Sequence, residues 1–345
     1  MAIDAITWFV ERAAEYGLEA VSSWSNVRAA LAQIPLAILD LSHPLAWPYL
    51  LSSLVIAWIL FLAVKRRGET ECRSFVEFAF PARLYRHPST RLDWKFGICD
   101  LTLQFLLYTP VMTGMGLLGA KAMTALLVGS WGWEPPHTLS VTGIAAAAVG
   151  WFVLHDFVNY CTHVLFHRIP LLWSFHRVHH SAEVLTPAAA FRVHPVELLA
   201  FAAIQAPVLG TAAVLYQNIL GEEQRITMVF GVSVFTFVSG ILGSHLRHSH
   251  VWFSYGPVLN RVFMSPAHHQ IHHSVDAHHW NKNFAVKLAV WDALFGTLYL
   301  PGRREALSVG LPDADRREFT SVSGLYLSPF VRAFQALVPI ESRRG

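Results

Sequence analysis

The chain has 345 residues, of which 54% are hydrophobic and 14% charged, where a soluble domain carries roughly 25% charge. A net charge of +3 and no basic, aromatic-interleaved patch argue against a nucleic-acid partner. Three scattered cysteines, Cys72, Cys99 and Cys161, support neither a disulfide framework nor a thiolate zinc site.

The predicted elements follow from apolar runs near the 20 residues a bilayer demands. Ile6 to Leu31 reads as an amphipathic surface helix. Leu45 to Val64 is a first span, ending on Lys65-Arg66-Arg67, and too far from the start to be a cleavable signal peptide. Phe96 to Ala120 is a second span. Thr138 to Leu154 is a third, its helix running on into a histidine-rich stretch. Val196 to Leu220 and Ile226 to Gly243 are a fourth and a fifth. The 65–95 loop holds eight Lys and Arg residues, so the positive-inside rule places it in the cytoplasm. Spans three and five then both end inside. The expected fold is all-α: a multi-pass transmembrane bundle of about five spans with a cytoplasmic, histidine-rich di-metal cap. The expected division is a surface segment (1–44), a membrane-embedded domain (45–300) and a cytoplasmic tail (301–345).

Nineteen histidines are out of proportion, and 16 lie in two windows, His155–His194 and His245–His279. His163 and His167, at i and i+4, share one helix face. His176-Arg-Val-His179-His180 and His269-Gln-Ile-His272-His273 repeat one HxxHH pattern. These eight imidazoles are too many for one ion and suit two. Lone histidines such as His43, His87 and His137 read as hydrogen-bonded packing residues, and a histidine cluster can also serve as a pH sensor. A metal is the stronger reading, because massed imidazoles suppress one another's protonation and neutral nitrogens are ligands for zinc, copper, iron or nickel.

The boxes resemble the fatty acid hydroxylase / sterol desaturase superfamily of integral membrane di-iron oxygenases. Five motifs between Asp156 and Leu300 carry the resemblance: Asp156…Tyr160-Cys-Thr-His163-Val-Leu-Phe-His167, Pro170-Leu-Leu-Trp-Ser-Phe-His176-Arg-Val-His-His180-Ser, Arg192-Val-His194-Pro-Val-Glu197, Ser265-Pro-Ala-His-His269-Gln-Ile-His-His273-Ser and Trp291-Asp-Ala-Leu-Phe-Gly-Thr297. Thr162, Val164 and Ala285 depart from common family residues. The resemblance implies metal ligands at His163, His167, His176, His179, His180, His269, His272 and His273, with His248 as a further ligand. Asp156, His194, His245, His268 and His279 are candidates for extra ligands or for holding ligands in place; Asp156 could instead pair with Arg168 or Arg177.

The resemblance also implies two iron ions, O2 as co-substrate and a lipid substrate drawn from the bilayer. Electrons are expected from a separate reductase or carrier, since no Rossmann, haem or iron–sulfur motif is present. Lipid hydroxylation is the leading expectation and desaturation on the same centre the runner-up. Localisation is expected in the inner membrane of a bacterium or the endoplasmic reticulum of a eukaryote. A histidine-rich metal transporter, a zinc hydrolase and a non-catalytic scaffold are the alternatives. Against the first, spans four and five carry no charge in their apolar cores; against the second, no glutamate adjoins a box. Substrate identity and oligomeric state are not readable from the sequence.

Overall fold

The computed structural model describes residues 15, 18–19, 21–41, 46–130, 132, 140–220, 228–229 and 232–337. Most of the surface helix expected over Ile6 to Leu31 lies outside them. Its described end belongs to α1 (Trp24–Leu36), capped by Ser23 Oγ accepting from Asn26 N–H. The chain divides into two compact units, one of 1–43, 100–162 and 198–237, the other of 44–99, 163–197 and 238–345. Each is drawn from separated stretches of sequence.

α2 (Trp47–Arg66) has proline in its first turn and Lys65 and Arg66 in its last, where cations suit the helix dipole. Two short helices follow, α3 (Phe75–Ala79) and α4 (Ala82–Tyr85). The second expected span is helical but not regular. α5 (Pro88–Leu103) gives way to a π-helical turn, Gln104–Tyr108, before α6 (Thr109–Thr124). Pro110 has no N–H for the carbonyl four residues back, and a π turn accommodates that loss. α7 (Val141–Arg168) is continuous from the third apolar run into the first histidines. α8 (Pro170–His180) carries the second box and α9 (Pro195–Leu220) covers the fourth expected span. α2 and α7 are long and apolar enough to cross a membrane.

The fifth expected span is corrected. Its described residues hold a two-residue hairpin, β1 (Met228–Val229) with β2 (Val232–Ser233), then α10 (Val234–Ile241), whose eight residues are too few to cross a bilayer. The run is apolar throughout, but β-branched residues pair as readily as they coil.

In the second unit, α11 (Gly256–Leu259), α12 (Pro266–His272) and α13 (Val290–Leu294) are short helices in the region of the third box. α14 (Asp313–Arg316) and α15 (Val322–Leu337) lie in the expected tail, where α15 packs against α8. Leu92, Phe96, Val178, Leu311, Phe319 and Leu325 form one core there. A second core joins Ala57 of α2 to Leu246 and Val251. Gly240 permits a close approach: a Cβ there would lie 2.5 Å from the Tyr49 ring.

Candidate metal centre

All nine histidines named as ligands in the sequence come together in the second unit, in two groups. His163, His167, His176, His180 and His272 form the first; His179, His248, His269 and His273 form the second. Within each group, one ligand nitrogen from each residue lies within 4.8 Å of the others. The partition follows helix geometry. His163 and His167, His176 and His180, and His269 and His273 are i, i+4 pairs, and each pair shares a group. The remaining members of the HxxHH boxes, His179 and His272, point off that stripe and join the opposite group. Each HxxHH box therefore contributes to both groups, and the His163/His167 pair to the first alone.

Two local devices set the boxes. Pro170 begins α8 in its first turn, and the helix buries His176, His179 and His180 on its inner side. α12 begins with Pro266 and a capping box in which Ser265 Oγ and His268 exchange bonds with each other's backbone.

The distal nitrogens are held from outside. His163 Nδ1 donates to Phe284 O (2.7 Å), His176 Nδ1 to Glu197 Oε1 (2.6 Å) and His272 Nδ1 to Lys282 O (2.9 Å). With the proton on Nδ1, each Nε2 turns a lone pair into the first group. His163 Nε2 and His176 Nε2 are 3.2 Å apart, so two lone pairs face one another. The Nε2 atoms of His167, His180 and His272 are buried with no hydrogen-bond partner. In the second group, Nε2 atoms follow one another at 3.1 Å (His179 to His248), 2.8 Å (His248 to His269) and 3.1 Å (His269 to His273). Cation ligands at a bond length of about 2.1 Å stand about 3 Å apart when at right angles. The residues fit two cations, with imidazole the donor throughout.

Burial, the first cause in each case, and neighbouring imidazoles hold these groups neutral. His176 is pushed down to about 3 and His179 to about 4. His180, His248, His269, His272 and His273 fall well below the ordinary 6.5. In the unfolded chain these residues take up protons as pH falls through 6.5, while the folded chain does not until far lower. The unfolded state then binds more protons, so stability declines with falling pH. Metal release acts in the same direction, because ligands must be neutral. Thermal unfolding in detergent is expected to be level above about pH 6.5 and to weaken steadily below it. A melting temperature unchanged down to about pH 4 would contradict neutral burial.

The other candidates lie outside both groups. His194 uses both nitrogens, Nε2 donating to Tyr326 O (3.1 Å) and Nδ1 accepting from Val196 N–H (3.1 Å). His268 Nδ1 is taken up with Ser265. His279 Nε2 lies 3.3 Å from Glu305. His245 is in the 3-10 turn Ser244–His248. Asp156 is buried on α7, two turns before His163. Arg177, one of its suggested partners, pairs with Asp315 at 3.3 Å.

Several supports carried no role in the sequence reading. Glu197 sits in the first turn of α9 and holds His176. Asp292 is fully buried and accepts from Phe284 N–H and Ala285 N–H, both at 2.9 Å, and from Thr297 Oγ1 at 2.6 Å. It thereby fixes the carbonyl that holds His163. Asn283, at φ 57–59° with Asn281, accepts from Tyr299 N–H at 2.8 Å and donates to His268 O at 3.2 Å. Replacing Glu197 with alanine is expected to lower metal affinity about 10–100-fold, and with glutamine by less. Chelator competition measures this; equal affinities would remove Glu197 from the centre.

A cavity of about 290 Å³ reaches the first group at His167, His180 and His272, beside Trp173 and Trp280; no second-group histidine lines it.

Residues 148–297 match the fatty acid hydroxylase family. They belong to the fatty acid hydroxylase superfamily. The match takes in α8, α12 and α13, most of α7, and all nine grouped histidines. An ornithine lipid hydroxylase of Rhizobium tropici is 31% identical over 161 residues, 46% of this chain and 44% of that protein. A human alkylglycerol monooxygenase is 24% identical over 41% of this chain and 28% of its own length. A very-long-chain aldehyde decarbonylase of Oryza sativa is 29% identical over 45% of this chain and 24% of its own. The chain thus spans less than half the length of these curated relatives, through its fatty acid hydroxylase region. No solved structure matches.

Proposed function

We propose that the protein is a di-iron, O2-dependent lipid hydroxylase that acts on a C–H bond of a membrane lipid, such as a fatty acyl chain or a sterol. The observation that carries this reading is the pairing of five and four imidazoles, six of the nine buried, whose ring nitrogens converge. The relatives support it: two are named as a lipid hydroxylase and a monooxygenase. Two bound irons would supply the one-electron and O2 chemistry that an unactivated C–H bond requires.

The chain's own part is to hold and to exclude. Phe284 O, Glu197 and Lys282 O keep protons on the distal nitrogens, so the inner ones stay free for metal. Phe284 packs against His163, His167 and His272, and Trp173 against His167 and His180. These rings wall the first group on those sides and leave the cavity beside Trp173 as its approach. The lipid enters from the bilayer and electrons come from a separate carrier. The basic 65–95 loop at the end of α2 supports a cytoplasmic centre in an integral membrane protein.

Expression in a host, with lipid mass spectrometry under labelled O2, tests the reading. The expected result is a lipid class that gains one labelled oxygen atom, absent with a His179→Ala/His272→Ala variant. A product lacking two hydrogens and carrying no label would replace hydroxylation by desaturation. No lipid change from an iron-loaded, reducible protein would contradict both.

A further inference from the structure

The sequence places the histidines beyond the basic end of the first span, but packing inside the second unit places part of the cage alongside that span. Leu246 and Val251, which flank His248, pack on Ala57 together with Ile56 and Leu60. Ala57 lies about 13 Å back from Arg66 along α2, at 1.5 Å per residue. A Cβ on Gly243 would meet Ile56 Cδ1 at 3.2 Å. Tyr255 Oη donates to Leu242 O at 3.0 Å, tying the start of α11 to the same level. The stretch from Leu242 to Tyr255 therefore runs beside the apolar length of α2.

The residues that follow expose an apolar face. Two segments are joined there: Met264 N–H donates to Lys287 O and Ala289 N–H to Val262 O, both at 2.9 Å. They expose Val258 (74%), Leu259, Val262 and Phe263 from one side and Leu294 (71%) and Phe295 from the other. All six lie outside every apolar run long enough to span. The charged residues of 255–263 and 286–299 are Arg261, Lys287 and Asp292. Asp292 is fully buried, so the charge that these two segments carry towards the surface is basic. Apolar faces with basic fringes bind anionic leaflets at the boundary between headgroups and acyl chains.

We propose that this face is immersed in an anionic lipid leaflet, holding the third histidine box at acyl-chain level. The proposal deepens the functional reading and rests on α2 spanning the bilayer. It makes the loops around α11 and α13, and not only the spans, the border between the metal centre and its lipid.

The test uses the full chain with Cys72, Cys99 and Cys161 changed to serine, in vesicles of phosphatidylglycerol and phosphatidylcholine. Val258→Cys and Leu294→Cys each carry a polarity-sensitive dye, and Trp58→Cys on the exposed side of α2 is the reference. All three dyes are expected to shift to the blue and to lose most of their emission to acyl-chain quencher lipids, with little loss to aqueous iodide. In pure phosphatidylcholine the effect is expected to shrink at Val258 and Leu294 and to persist at Trp58; persistence at all three would overturn the anionic preference. Quenching by lipid at Trp58 but by iodide at the other two would overturn the immersion. Shielding from both quenchers, relieved on dilution in detergent, would assign the face to a second copy of the chain and also overturn it. No lipid quenching at Trp58 would sink the spanning reading beneath it. Retained metal content in each variant separates these outcomes from misfolding.

Discussion

Replacing Arg192 with methionine is expected to destabilise the second unit by about 3–5 kcal/mol. Arg192 is almost wholly buried. Its Nε donates to Asp93 Oδ1 at 2.6 Å, one Nη to Ser181 Oγ at 2.9 Å and the other to Ser89 O and Oγ at 3.1 Å. It thus ties the residue that ends α8, one position after His180, to the start of α5. Burial pushes the Asp93 carboxyl up and the adjacent guanidinium pulls it back down. Removing the guanidinium alone leaves that carboxylate buried and uncompensated, which costs more than removing the pair. Asp93→Leu combined with Arg192→Met is therefore expected to be more stable than Arg192→Met alone. Thermal unfolding in detergent reads both. A loss below about 1 kcal/mol in the single variant would mean that the pair behaves like a surface ion pair.

The parts of the fold legible in the sequence are those with a single physical solution. The apolar runs that became α2 and α9 match their helices to within two residues, because a 20-residue apolar run has few alternatives to a helix. The run at 226–243 has the same apolarity but is rich in β-branched and aromatic residues, and its described part is a hairpin followed by a short helix. The histidines of the boxes were legible because spacing alone puts i, i+4 pairs on one face. The division into five and four was not drawn from that spacing, although the same rule contains it: His179 and His272 are the box members without an i+4 partner in their own box. The supports were hidden for a different reason. Glu197 meets His176 and Arg192 meets Asp93 only once separate segments have docked, and Asp292 meets Phe284 N–H only once the irregular loop between them has closed. No local pattern states which carboxylate faces which ring.

The largest functional loss is expected from the histidines that cross between groups. His272→Ala removes a ligand from the first group and His179→Ala one from the second. Both side chains are buried, and each substitution leaves its group one nitrogen short. Each single variant is expected to keep the fold, to lose metal mainly from its own group and to reduce lipid turnover to background. Loss of both ions from either single variant would show instead that the two groups fill as one unit.

Metal content per chain is the most direct measure of the central claim, taken on protein purified from iron-supplemented cells without chelator. About two ions per chain are expected in the unaltered protein, mainly iron because the cells supply it in excess, and few in the His179→Ala/His272→Ala variant. A folded, unaltered protein that binds neither iron nor any other transition metal would contradict it.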